Sequence, residues 1–161
     1  MPGIIESYVH TGNQIGVLVK INCHNEVTAA TSELKTLAKE IALQIAANPN
    51  IKYTKISDVP PSVIERVSQQ IKEDKKSAIV QERIREMCLY DIPYIRDDSI
   101  TVEDLIKLSI ARLSEDIAIA NFVRFAIDEP NNDNPPKDSG NVPSNPLPND
   151  PTPLAEEAEL D

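Results

Sequence analysis

Tryptophan is absent, aromatics make up only 4% of the 161 residues, and there are just two cysteines, two histidines and four glycines. Two cysteines without CxxC spacing and two histidines cannot supply a four-ligand zinc site unaided, and a disulfide scaffold needs a higher density. Cys23 and Cys88 therefore read as reduced, structural thiols. The glycines, at positions 3, 12, 16 and 140, never follow a strand in GxGxxG or GxxxxGK[ST] spacing, which excludes a phosphate-cradling loop of either type. No apolar run approaches the roughly 20 residues of a membrane span, and Met1-Pro2-Gly3 does not open a basic-then-apolar signal. A soluble chain with no membrane span and no export sequence is expected. With 26 acidic against 16 basic residues and a formal charge of -10, direct binding to nucleic acid is disfavoured.

That charge is uneven. Residues 128–161 carry nine carboxylates and one lysine, net -8, which leaves -2 for residues 1–127. The same stretch holds eight of the thirteen prolines among Asn, Asp and Ser, with almost no large apolar side chains. It cannot bury enough surface to offset the roughly 1–2 kcal/mol per residue of backbone ordering. The expected organisation is thus a core domain over 1–127 and a disordered, acidic, proline-rich tail over 128–161. Within the tail, only Leu154, Ala155, Ala158 and Leu160 could give a short turn of acidic helix.

The core alternates strands and helices. Ile4 to His10 and Ile15 to Cys23 are rich in β-branched residues and flank Thr11-Gly12-Asn13-Gln14, a hairpin pattern with Ile15, Val17, Val19 and Ile21 on one face. From Thr31 the period becomes helical, with Leu34, Leu37, Ala38, Ile41, Ala42, Ile45 and Ala46 on one stripe, a cap at Thr31 or Ser32, and a stop at Asn48-Pro49-Asn50. A short extended segment, Ile51 to Ile56, leads to a helix opened by Pro60-Pro61 and carrying Ile64, Val67 and Ile71. After the charged turn Glu73-Asp74-Lys75-Lys76, a helix with Ile79, Val80, Ile84, Met87 and Cys88 runs back, forming a short protruding hairpin. Asp98 or Ser99 is expected in a turn, a further helix starts at a Thr101 cap, and a final strand alternates Ile117, Ile119, Val123, Phe125 and Ile127 with Ala118, Ala120, Phe122 and Arg124, broken at Asn121. The fold class is α+β, a small antiparallel sheet with helices packed on one face.

Candidates for chemistry are few. His10 and His24 lie at opposite ends of an extended strand, which speaks against a shared metal. Cys23, His24 and Glu26 form a weak nucleophile-and-base pattern, against which a cysteine at a strand end is more often a small buried hydrophobe. Asp97, Asp98, Glu103 and Asp104 invite a calcium or acid/base reading, but a turn and the start of a helix account for them. No enzyme activity, cofactor or metal is expected.

Tyr8-Val9-His10-Thr11-Gly12, Ile15-Gly16-Val17-Leu18-Val19-Lys20-Ile21-Asn22-Cys23, the helix from Glu33 to Ala47, Asp91-Ile92-Pro93-Tyr94-Ile95-Arg96-Asp97-Asp98-Ser99-Ile100-Thr101-Val102 and Asn121-Phe122-Val123-Arg124-Phe125 occur in the order of one family. Over roughly residues 5–127 the chain resembles the core (dimerisation) domain of bacterial and plastid elongation factor Ts. The resemblance implies an α+β core with a helical arm, and guanine-nucleotide exchange on elongation factor Tu without covalent chemistry, the two ligands weakening each other's binding reciprocally.

The sequence also departs from that pattern. The family opens with a small helical domain that docks on the GTPase, whereas this sequence starts at the first core strand. Where the family has Glu-Thr-Asp-Phe-Val, whose aspartate and phenylalanine wedge into the GTPase near its magnesium, this sequence reads His24-Asn25-Glu26-Val27-Thr28. Glu26 keeps the charge while Val27 loses apolar area. A glycine-rich arm segment is absent between Lys76 and Ala78, the usual paired arginines are Ala120 and Asn121, and the acidic tail is an addition. The five residues 24–28 are accordingly the expected partner-binding set. The partner is expected to be elongation factor Tu, with weakened exchange. The alternative is a non-exchanging paralogue acting as a structural or adaptor subunit of another protein complex, its tail a partner-binding peptide. Either suits the bacterial cytoplasm or plastid stroma. Proton NMR is expected to show sharp, poorly dispersed signals after Asp128; dispersed tail resonances in the isolated protein would contradict the disorder reading.

Overall fold

The computed structural model describes residues 1–71 and 76–129. The tail from 130 onward and most of the charged hairpin turn, residues 72–75, lie outside the described residues. Element order is β1 (Gly3–Val9), β2 (Ile15–Cys23), α1 (Glu26–Ala29), α2 (Ser32–Ala47), α3 (Pro61–Gln70), α4 (Lys76–Glu86), β3 (Pro93–Tyr94), β4 (Asp97–Thr101), α5 (Val102–Leu113) and β5 (Ile117–Ala126), with single 3-10 turns at Ile56–Asp58 and Leu89–Asp91.

β1, β2 and β5 form an antiparallel sheet in the order β1-β2-β5. The β1–β2 hairpin closes through Gly12 and Asn13, both at positive φ (94° and 58°), the conformation that glycine and asparagine tolerate best. One face of the sheet buries Val17, Val19 and Ile21 against Leu34, Ala38, Ile41 and Ile45 of α2. Every apolar position of the expected α2 stripe is buried, and the Thr31 hydroxyl accepts from the Leu34 N–H at 3.2 Å. Burying each of the large aliphatic side chains contributes about 1.5–3 kcal/mol, which makes this contact the main source of stability.

The expected alternation of β5 is corrected by a bulge. Lys20 pairs with Asn121 but Ile21 pairs with Ile119, so Ala120 has no partner on β2. One extra residue inverts the side-chain phase. Ile117 and Ile119 point to the core, but beyond the bulge Phe122 and Arg124 turn inward while Val123, Phe125 and Ile127 stand exposed, Phe125 by 59%. The inward Arg124 guanidinium reaches the Ala46 carbonyl near the C-terminus of α2 (3.3 Å), where a cation is favoured, and pairs with Glu129 at 2.5 Å. Glu129, expected in the tail, is therefore held to the core.

α3 and α4 pair as expected around their own cluster of Val59, Val63, Ile71, Val80, Ile84 and Cys88. Val63 takes the inward position that was expected of Ile64: α3 turns Val63 and Val67, one turn apart, toward the cluster, and Ile71 lies past the end of the helix in extended conformation, so it does not fix the helical phase. The hairpin is rooted by backbone bonds from Lys52 and Tyr53 to the Met87 carbonyl and from Leu89 to the Tyr53 carbonyl.

A second, two-stranded sheet (β3–β4) was not expected: Asp98 and Ser99 lie in β4, and the turn falls at Ile95 and Arg96. It is bolted to α2 by polar groups. Gln44, only 4% exposed, accepts from the Ile95 N–H (2.7 Å) and donates to the Pro93 carbonyl (3.2 Å). Glu40 accepts from the Tyr94 hydroxyl at 2.8 Å and from the Arg96 guanidinium. The Arg96 bond holds the Glu40 carboxyl below its ordinary range, while burial, with Glu40 beside it, pushes the Tyr94 hydroxyl up to about 12. Gln44→Ala strands a buried amide and opens a cavity, so it is expected to cost about 2–3 kcal/mol in urea unfolding with an unchanged m-value. A cost below about 0.5 kcal/mol would show that the bolt carries no load.

Candidate functional site

β2 ends at Cys23, and the chain must then turn beneath the first residues of α2. The Cys23 side chain is buried and its thiol donates to the Asn25 carbonyl at 3.3 Å. Asn25, in extended conformation, caps α1: its side-chain oxygen accepts from the Val27 N–H at 2.8 Å. α1 is a single turn, and the Thr31 N–H and hydroxyl both return to the Thr28 carbonyl, at 3.0 and 2.8 Å, passing the chain into α2.

His24, Asn25, Glu26 and Val27 are all exposed, Val27 by 73%. Thr28 departs from its expected role as a contact residue: it is 8% exposed, turned inward by the helical twist of α1, with its hydroxyl donated to Glu115. The segment thus presents an acid and an aliphatic side chain side by side at the tip, with a threonine as its inner anchor. Cys23, His24 and Glu26 are not gathered into a reactive cluster, since the cysteine faces the core and the other two face outward. The groove of about 310 Å³ between α2 and α5, lined in part by Ser32, Leu37, Tyr94, Leu105 and Arg112, contains none of residues 24–28.

Glu115 was not singled out from the sequence. Its Oε1 accepts from the backbone N–H groups of His24 (2.6 Å) and Asn25 (2.5 Å), and its other oxygen accepts from Thr28. These bonds, the Thr28 hydroxyl first, hold its carboxyl below the ordinary glutamate range, against a smaller opposing effect of burial. The signal that could have found it is register: Cys23 pairs with Ile117, so continuing the ladder by two residues sets Glu115 against Asn25.

The family model for elongation factor Ts matches residues 1–129. The chain belongs to the elongation factor Ts family. Among relatives, Elongation factor Ts of Rippkaea orientalis is 42% identical over 140 residues, covering 79% of this chain and 56% of its own length. That of Cyanothece sp. is 44% identical with 79% and 53% coverage, and the chloroplastic Elongation factor Ts of Guillardia theta is 43% identical with 79% and 64%. The chain spans between 53% and 64% of the length of these elongation factor Ts relatives. Among the described residues, no helix is long and apolar enough to cross a membrane.

Both thiols are buried, and burial pushes Cys88 up to about 11. Iodoacetamide at about pH 8 should therefore leave both unmodified in the native protein and label both after unfolding. Rapid native labelling of Cys23 would reveal a reactive thiolate next to the site.

Proposed function

We propose that this elongation factor Ts-like chain binds elongation factor Tu and promotes GDP release during translation elongation, with His24, Asn25, Glu26 and Val27 as its contact residues. The observation that carries the reading is the exposed Glu26–Val27 pair on a capped single turn, at the sequence position where the family resemblance has its aspartate and phenylalanine. A factor of this kind performs no covalent step. Its binding free energy is realised only with a GTPase conformation whose nucleotide contacts are loosened, so factor and GDP weaken each other by the same factor. A carboxylate and an apolar tip suit such a role, because the charge competes near the partner's magnesium and phosphate while the apolar group supplies the burial that offsets the disturbance. The reading needs no cofactor, no nucleic acid and no membrane, and it belongs in bacterial cytoplasm or plastid stroma, the compartments of the translation systems its relatives' names indicate.

Valine buries less surface than phenylalanine, which makes the exchange weak. Stopped-flow release of a fluorescent GDP from the cognate elongation factor Tu is expected to accelerate with this protein. Val27→Phe adds apolar contact worth about 1 kcal/mol and should speed release further, about fivefold. Failure of the wild type to accelerate release at micromolar concentration would sink the proposal, and an inert Val27→Phe would remove Val27 from the contact set.

A further inference from the structure

Glu115 is separated from the candidate contact residues by most of the domain in sequence, 90 positions from Asn25, yet its carboxylate takes three of their donors at once. Among the described residues, no other group takes those donors. The β2–β5 ladder ends at Cys23 and Ile117, so the His24 and Asn25 N–H groups lie past its last backbone pair. A carboxylate offers two oxygens and about four lone-pair directions, and bonds to a charged acceptor are shorter and stronger than neutral ones.

Glu115 is itself anchored. Ser114 ends α5 in the left-handed conformation (φ 52°, ψ 38°), and the N–H groups of Ser114 and Glu115 both donate to the Ile110 carbonyl, the latter at 3.3 Å. One oxygen therefore fixes the end of β2 and the other fixes α1 through Thr28. Glu26 and Val27 lie between the clamped residues, so Glu115 ties the turn that carries them to the body of the domain on both sides. Resting on the proposed contact role of those two residues, we infer that Glu115 is a positioning residue: it pre-organises the partner-binding turn and so removes its ordering cost from the binding step. Rigidifying a contact segment in its bound form raises affinity mostly in that way. The effect therefore belongs to the factor concentration needed for exchange, and the rate at saturation is left nearly unchanged.

The test compares Glu115→Ala, Glu115→Gln and Thr28→Val in the full chain, with Thr101→Ala as a control. Gln keeps an acceptor for the two amides, Thr28→Val removes only the third donor, and Thr101→Ala loosens a helix cap that touches none of residues 24–28. Amide hydrogen exchange at His24 and Asn25 and the half-saturating concentration for GDP release from elongation factor Tu are read together. Glu115→Ala is expected to speed exchange at both amides and to raise the half-saturating concentration, each about tenfold, with Glu115→Gln and Thr28→Val in between. Thr101→Ala should lower the melting temperature without moving either readout. Unchanged amide exchange in Glu115→Ala, or a half-saturating concentration that follows the melting temperature across all four variants, overturns the inference. If the wild type accelerates release and Glu115→Ala matches it, the inference fails alone. If the wild type is inactive, the proposed exchange function fails, and the positioning role fails with it.

Discussion

The pairing of β2 with β5 is the constraint on which the remaining features hang. β2 is the central strand, hydrogen-bonded on both sides, and its inward residues Val17, Val19 and Ile21 form the floor on which α2 sits. β5 must therefore meet β2 in a register that serves two ends of the domain at once. At one end, Cys23 opposite Ile117 carries Glu115 to the turn after β2. At the other, Phe122 and Arg124 must face inward to cover the sheet and reach the last turn of α2. A uniform period of two cannot place Ile119 and Phe122 on the same face; the unpaired Ala120 does so with a single residue. The displaced Ile119 N–H is still served, by the Tyr90 hydroxyl at 3.3 Å.

A second consequence concerns α2, which does more than cover the sheet. Its apolar stripe faces β1 and β2, and Glu40 and Gln44, one turn apart on an adjoining face, reach out to the β3–β4 hairpin. A two-stranded hairpin has little stability of its own, so its geometry is imposed by these bonds. The same hairpin ends in Thr101, whose hydroxyl and backbone exchange bonds with Asp104 to start α5. The β3–β4 hairpin that leads into α5 is thus held to α2 by two polar side chains.

How much of this was legible depended on whether the signal was local. The α2 stripe, the Thr101 cap, the bounds of β2 and, as one of two alternatives, the Thr31 cap could be read directly, because periodicity and capping are written within a few residues. Ile64 was misassigned because Ile64 and Val63 are both apolar and both lie within a turn of Val67, and Ile71, which would favour Ile64 if helical, falls past the end of α3. The β3–β4 pair was missed since Asp97, Asp98 and Ser99 have turn chemistry, and Asp97 does accept from Ser99 by side chain and backbone, but within a strand. Of the candidate site, the five consecutive residues were visible by resemblance alone. The inward role of Thr28 and the involvement of Glu115 needed the long-range register, which no window of sequence contains.

The turn after β2 combines an altered tip with a well-anchored base, and energetics explain why those can coexist. Affinity at a protruding contact has two parts, the apolar and charged surface offered and the cost of holding it in the bound geometry. Exchanging an aromatic ring for Val27 reduces the first and leaves the second untouched, because the clamp acts on His24, Asn25 and Thr28 and never touches the side chain at 27. Under the proposed contact role, a pre-organised but smaller tip would give a weaker factor of the same kind, its coupling to nucleotide scaled down with the sign kept. Had the clamp been lost with the ring retained, the larger surface would have had to order itself on each encounter, and much of its extra burial would be spent on that. On the proposed roles, this division of labour between residue 27 and residue 115 is what would let the tip vary without abolishing the mode of binding.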